Sequence, residues 1–287
     1  MNMLQEIKQS LRSANNPVKQ LILVNVAVFL LVGLLNLVAL ISGTESSLMH
    51  KFMLYLMLPA SLPVFITQPW SLFTYLFLHD NFFHILFNML WLYWLGGLLL
   101  EYLGKRKFRE AFYGGGIFGG LIYILMYNII PAFQMQIPAT YALGASAGIL
   151  AVVVATATLL PDYSVQLLFF GNVKLKWIAL ASVILDLISI PNGNAGGHIA
   201  HLGGALFGFF YIRYLYKYGG HLIPDRITHL FKRKENIRIH YKSASRPNTA
   251  NQPSQSDIDS ILDKISKSGY DSLTKKEKET LFKASKE

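Results

Sequence analysis

Residues 142–161 read ALGASAGILAVVVATATLLP. From Ser146 to Leu160 the run is small or apolar, carries no charge, and is stopped by Pro161. A helix that is apolar all round is buried in protein or lies in a membrane. At about 1.5 Å per residue the run spans about 22 Å, short of a hydrocarbon core of about 30 Å. With its far end near one surface, Ser146 starts the helix several ångströms below the other. The preceding segment, PAFQMQIPATYALGA (131–145), then dips inward as non-helical backbone. Such backbone is tolerated at that depth only when buried in protein or lining a wet cavity. The stretch predicts a water-filled pocket with Ser146 at its floor.

The rest of the chain agrees with a membrane setting. Of 287 residues, 53% are hydrophobic and 15% charged, and the charges gather in 1–20 and 221–287. A soluble domain of this size spreads its charges throughout, so the pattern predicts a polytopic, all-α membrane protein with polar ends. The net charge of +10 is read as membrane topology, because the basic residues lie where cytoplasmic loops would be; no nucleic-acid partner is expected. The absence of cysteine removes disulfides, thiol nucleophiles and Cys-based metal sites. No cleavable signal peptide is expected, since the first 18 residues are largely polar and the first apolar run is long enough to span.

Six runs fit spanning helices: 19–41, 82–102, 109–130, 146–160, 174–190 and 198–217. Lys8, Arg12 and Lys19 precede or open the first. Lys105, Arg106, Lys107 and Arg109 separate the second and third. Lys174 and Lys176 open the fifth, and Arg213 and Lys217 end the sixth. The opposite loops hold only Lys51, so the positive-inside rule puts both termini in the cytoplasm. The expected organisation is a cytoplasmic N-terminus (1–18), a six-helix domain (19–217), a basic, partly disordered linker (218–255) and a small helical hairpin (256–287) broken at Gly269. The run KFMLYLMLP (51–59) in the long first loop predicts an interfacial segment.

Several polar residues recur at helical spacing inside these runs. His84 and Asn88 are four apart and share a face of the second helix. His201 is followed by Gly204 and Gly208 at i+3 and i+7, a glycine strip that admits a close neighbour. Gly144 and Gly148 offer a matching small surface at the start of the fourth helix, so the fourth and sixth helices are expected to pack tightly and bring Ser146 to His201. A serine hydroxyl becomes a useful nucleophile when a base takes its proton. The oxyanion formed on an amide needs preorganised donors, and an Asn amide, a His ring N–H and the Ser146 backbone N–H can supply them. No acid is placed by sequence to orient His201, so the expectation is a dyad; Asp186, an acid in the fifth helix, is left without a role. Each residue alone is a weak signal: a lone serine in such a helix is usually packing, a lone histidine near a helix end usually interfacial, and an asparagine often interhelical glue. Their convergence at similar depth is costly and favours function.

At this point the fragments PWSLFTYLFLHDNFFHILFNM, GGLLLEYLG, GGGIFGGLIY, LGASAGI and GGHIAHLGGALFG resemble the rhomboid intramembrane serine proteases, over about residues 15–217. The resemblance implies a six-transmembrane-helix bundle and a serine endopeptidase with a Ser146–His201 dyad. It implies an oxyanion site of His84, Asn88 and the Ser146 N–H. It also implies structural roles for His79 and Glu101, and a close approach at Gly204 and Gly208. The chain departs from the family pattern at three points. Ala147 follows the serine in place of glycine, Leu150 stands where many members carry an aromatic, and Ser71 follows Trp70 in place of arginine.

The implied substrates are transmembrane proteins that unwind easily in the bilayer, with entry gated by the fifth helix and the loop around Pro191–Gly197. The implied location is a bacterial cytoplasmic membrane. No cofactor is expected. His198 and His201 suit a metal, but no acidic third ligand is evident nearby, so no metal is expected either. A catalytically silent relative that binds membrane clients is the alternative. A transporter would call for inverted repeats, which the sequence does not show.

Overall fold

A computed structural model describes residues 16–43, 46–167, 171–219 and 255–284. Lys8, Arg12, most of the expected N-terminal segment and nearly all of the expected linker lie outside these residues. The chain divides into two compact units, residues 1–231 and 232–287.

In the first unit, helix α1 (Pro17–Ile41) opens on an Asn16 cap, whose side chain accepts from the N–H groups of Val18 and Lys19, with Pro17 in the first turn. α1 buries only Pro17, Val18, Leu21 and Asn25, and it exposes Leu30, Leu34, Leu37 and Leu40. A surface so apolar is suited to lipid. Helix α2 (Ser46–Leu56) covers most of the expected interfacial segment. Helix α3 (Phe82–Trp91) passes through a π-turn (Leu92–Gly96) into helix α4 (Gly97–Ile129). Gly104 breaks α4 with a left-handed φ of 79°, where the second and third expected runs meet. Helix α5 (Ser146–Leu159) buries every residue from Ala147 to Ala157 and is the axis of the unit. Helices α6 (Leu175–Ser189) and α7 (Ala195–Tyr218) follow, joined by a turn with Gly193 at φ 106° and Asn194 at φ 50°.

By length and composition, three helical stretches among the described residues suffice to cross a membrane: Pro17–Ile41, Phe82–Ile129 and Leu175–Asn192. The second is 48 residues long and holds two of the six expected runs. α5 has only 14 residues, and α7 is diluted by glycine, histidine, Arg213 and Lys217.

Before α5 the backbone is irregular, and the first loop satisfies it. Strand β1 (Leu58–Pro59) pairs antiparallel with β2 (Tyr141–Ala142). The Ala60 N–H donates to the Thr140 carbonyl and the Gly144 N–H to the Tyr75 carbonyl, both at 2.9 Å. Between α5 and α6, β3 (Ser164–Leu167) and β4 (Gly171–Lys174) form a small hairpin. Beside it, hydrogen bonds from Lys176 and Lys174 hold the Asp162 carboxyl down at about 2.

The second unit is a helical hairpin of α8 (Gln255–Ser268) and α9 (Lys275–Ala284), turned at Gly269 with φ 76°. Ile261 and Leu273 are its buried apolar residues. Thr274 and Glu277 form a reciprocal capping box, and Glu277 also pairs with Lys264 at 2.9 Å.

Candidate active site

Ser146 is the first residue of α5, where backbone N–H groups have no intrahelical partner and the helix dipole is positive. It is only partly buried, whereas the residues after it are sealed in the core. Two residues earlier Gly144 has φ 124°, a conformation open to glycine and strained for other residues. A Cβ there would meet His84 Nε2 at 2.9 Å and Ser146 Oγ at 3.3 Å. Both atoms therefore border one small space that glycine leaves open.

Glycine packing on three helices sets the depth of Ser146. A Cβ on Gly204 would run into the Ala147 carbonyl, and one on Gly208 into the Ala151 carbonyl, so α7 lies backbone against backbone on α5. The partners of this strip are Ala147 and Ala151, which corrects the expected pairing with Gly144 and Gly148. Gly148 faces the Phe112 carbonyl on α4, and Gly144 faces His84. The spacing misleads because successive small residues on a buried helix serve different neighbours. The GGGIFGG run joins the same junction, with Gly115 against Ala151 and Gly119 against Ala200 and Ala147.

This packing brings His201 Nε2 to 2.6 Å from Ser146 Oγ. The other ring nitrogen, Nδ1, lies 2.9 Å from Asp186 Oδ1 on α6. The hydrogen-bond pattern assigns the tautomer: Nδ1–H donates to Asp186, and Nε2 accepts from the Ser146 hydroxyl. His198 Nδ1 reaches the same Asp186 oxygen at 2.7 Å. An acid therefore does face His201, which corrects the expected lack of an acidic group beside the two histidines. The 15-residue separation of Asp186 and His201 hid the contact, because the α6–α7 turn folds them together. One signal was available: an ionisable residue in an apolar run needs a partner.

His84 enters the first turn of α3 because the Asn81 side chain caps its N–H at 2.9 Å. Its Nδ1 lies 2.6 Å from Asp80 Oδ1. Asn88, one turn on, is buried, and its Nδ2 lies 3.0 Å from His79 Nε2. His79 is itself buried; loss of solvent, then the neighbouring His84, lowers its pKa to about 4. A neutral His79 ring accepts one Asn88 amide hydrogen and leaves the second free.

Glu101 is exposed, and the buried carboxylate of α4 is Glu110, beyond the Gly104 break, which accepts from Tyr211 at 2.9 Å and pairs with Arg106 at 3.2 Å. Leu150 is buried in the core, and Asp186 holds the His201 ring. At the Trp70–Ser71 departure the indole N–H donates to the Tyr55 carbonyl at 3.0 Å, while Ser71 is buried with its hydroxyl unpaired.

The rhomboid domain family model matches residues 67–218, and a family of unknown function, DUF6576, matches residues 245–287. Presenilin-associated rhomboid-like protein A, mitochondrial, from Danio rerio is 29% identical over 141 residues, 48% of this chain and 35% of the relative. RHOMBOID-like protein 12, mitochondrial, from Arabidopsis thaliana is 27% identical over 144 residues, 47% of this chain and 43% of the relative. Rhomboid protease GlpG from Salmonella newport is 33% identical over 82 residues, 22% of this chain and 29% of the relative. The matched region spans less than half of each of these relatives. The two longer of these matches are to mitochondrial proteins, so the expected bacterial cytoplasmic membrane gains no support from them.

Proposed function

The chain belongs to the rhomboid family of integral membrane proteins, and on that premise we propose that it is an intramembrane serine endopeptidase cutting transmembrane proteins within or beside their spanning segments. The observation that carries the reading is the 2.6 Å contact between Ser146 Oγ and His201 Nε2 at the start of a buried helix. A packing serine has no need of an imidazole acceptor, and a silent client binder has no need of the Asp186 contact behind it.

In this reading His201 takes the Ser146 proton as Oγ attacks the scissile carbonyl, then returns it to the leaving amine. Asp186 fixes the His201 tautomer and stabilises the imidazolium that forms, which makes the arrangement a triad in function. The oxyanion develops in the space beside Gly144, faced by the Ser146 N–H at the α5 N-terminus and by His84 Nε2. Asn88 supplies its second amide hydrogen, oriented by His79. Asp80, 2.6 Å from His84 Nδ1, orients the ring so that Nε2 is turned toward that space. His79, Gly144, Gly148, Gly204 and Gly208 serve packing and positioning, and Glu110 takes the structural part expected of Glu101.

The membrane part crosses six times, with Phe82–Ile129 folded about Gly104 as two crossings and the short α5 lowering Ser146 below the surface. Lysine and arginine at 105–109, 174–176 and 213–217 favour both termini on the cytoplasmic side. Substrate enters past α6, which buries only Leu175, Ile178 and Ala179 at its start and exposes Ile184, Leu185, Leu187 and Ile188. A substrate helix must be extended at the serine, so segments that unwind easily are preferred.

The test is cleavage of a fluorescent transmembrane-helix substrate in liposomes by wild type, Ser146→Ala and His201→Ala. Wild type alone is expected to cut, with losses of at least about a thousandfold in the variants. Cutting by Ser146→Ala at the wild-type rate sinks the serine mechanism. A folded wild type that cuts nothing across varied substrates favours client binding.

A further inference from the structure

The proposed mechanism uses one imidazole on Asp186, and the structure puts two there. His198 and His201 are three residues apart and share a face of α7, one turn from each other. Both aim Nδ1 at Asp186 Oδ1, at 2.7 and 2.9 Å, and one potential ligand atom from each of the three residues lies within 4.8 Å of the other two. The side chains of His198, Asp186 and His201 are 22, 12 and 23% exposed, so ions reach them. Two neutral imidazole nitrogens and one carboxylate oxygen are the donor set of a three-ligand zinc-type site with an open fourth position. Bonds of about 2.0–2.1 Å separate tetrahedral ligands by about 3.3 Å, so the Asp186 contacts open by about half an ångström on binding.

We propose that Asp186, His198 and His201 form a site for a divalent transition cation of the zinc type, and that its occupancy switches off the serine. Binding itself stands on the geometry of three side chains; the inhibitory consequence rests on the proposed Ser146–His201 mechanism. A neutral imidazole carries one N–H. When the cation takes the Nδ1 lone pair of His201, the ring proton moves through solvent to Nε2. Nε2 then faces Ser146 Oγ with an N–H in place of a lone pair, and the serine hydroxyl loses its acceptor. The cation also engages the Asp186 oxygen that orients the ring in the active form. The ion does no chemistry on substrate; it competes with the proton arrangement that catalysis needs.

The experiment uses the full-length, untagged chain in detergent, titrated with cobalt(II) and followed by the visible absorption of a four-coordinate site, with zinc as competitor. One equivalent is expected to bind to Ser146→Ala, which keeps all three ligands. His198→Ala is expected to lower cobalt affinity by at least about tenfold. His198→Gln serves as a second variant, and thermal unfolding checks that both remain folded. No four-coordinate cobalt spectrum, or affinity unchanged in both His198 variants, overturns the site and places any bound ion elsewhere. Cleavage assays read the consequence as each chain's fraction of its own metal-free rate. Zinc is expected to inhibit wild type at the concentration that fills the site, with at least about tenfold more needed for His198→Ala. Binding without inhibition of an active wild type overturns the switch. If the wild type cuts no substrate, the absorption titration still decides the site.

Discussion

At Asp186 a single oxygen accepts from two imidazoles, and the stronger consequence falls on His201, whose other nitrogen holds the Ser146 hydroxyl. Asp186→Asn is expected to lower kcat by about 10²- to 10⁴-fold with KM nearly unchanged, because tautomer and charge support are lost while substrate contacts remain. Steady-state kinetics in liposomes checks this, and an unchanged kcat returns the site to a dyad. His79 gives a residue-scale prediction in pH. Its folded pKa of about 4 lies below the ordinary 6.5, so between these values the unfolded chain binds more protons. Stability therefore rises with pH across that window and is lost on acidification, by about 2 kcal/mol from pH 6.5 to 5. Unfolding in mild detergent at stepped pH should show this slope in wild type. The non-titrating His79→Gln should flatten it; an equal slope in both would mean that His79 is not held neutral by burial.

At the scale of elements, the junction of α4, α5 and α7 is built from Gly115, Gly119, Gly204, Gly208, Ala147 and Ala151, with backbone carbonyls in the contact. Backbone cannot rotate aside as a side chain can, so Gly204→Ala forces α5 and α7 apart. The expected cost is about 1–3 kcal/mol by thermal unfolding, with cleavage lost further because Ala147 follows Ser146, the proposed nucleophile. Gly33→Ala on α1 is the control: nothing lies within 4 Å of its Cβ, and stability should change by less than about 1 kcal/mol. Equal behaviour of the two variants would count against a helix approach limited at Gly204.

At the scale of the whole molecule, every residue of the site lies in the first compact unit, and the matched families divide the chain in the same order. A chain ending at residue 231 is therefore expected to keep Ser146-dependent cleavage within about threefold of full length, measured on the same liposome substrate. A larger loss would assign the α8–α9 hairpin a part in catalysis.

Much of this protein is determined by sequence alone. Hydropathy runs fix where helices lie, because burying backbone in an apolar medium requires internal hydrogen bonds, and Pro161 and Pro191 mark their ends. The i+3, i+4 and i+7 offsets put His84 with Asn88 and His201 with Gly204, since a helix repeats every 3.6 residues. Those offsets act only within one helix. Which neighbour each small residue of α5 meets depends on how helices cross in three dimensions, and so Gly148 met α4 and Ala147 met α7. The acid behind His201 was decided in the same way: Asp186 is on another helix, and only the α6–α7 turn brings its carboxylate to both imidazoles.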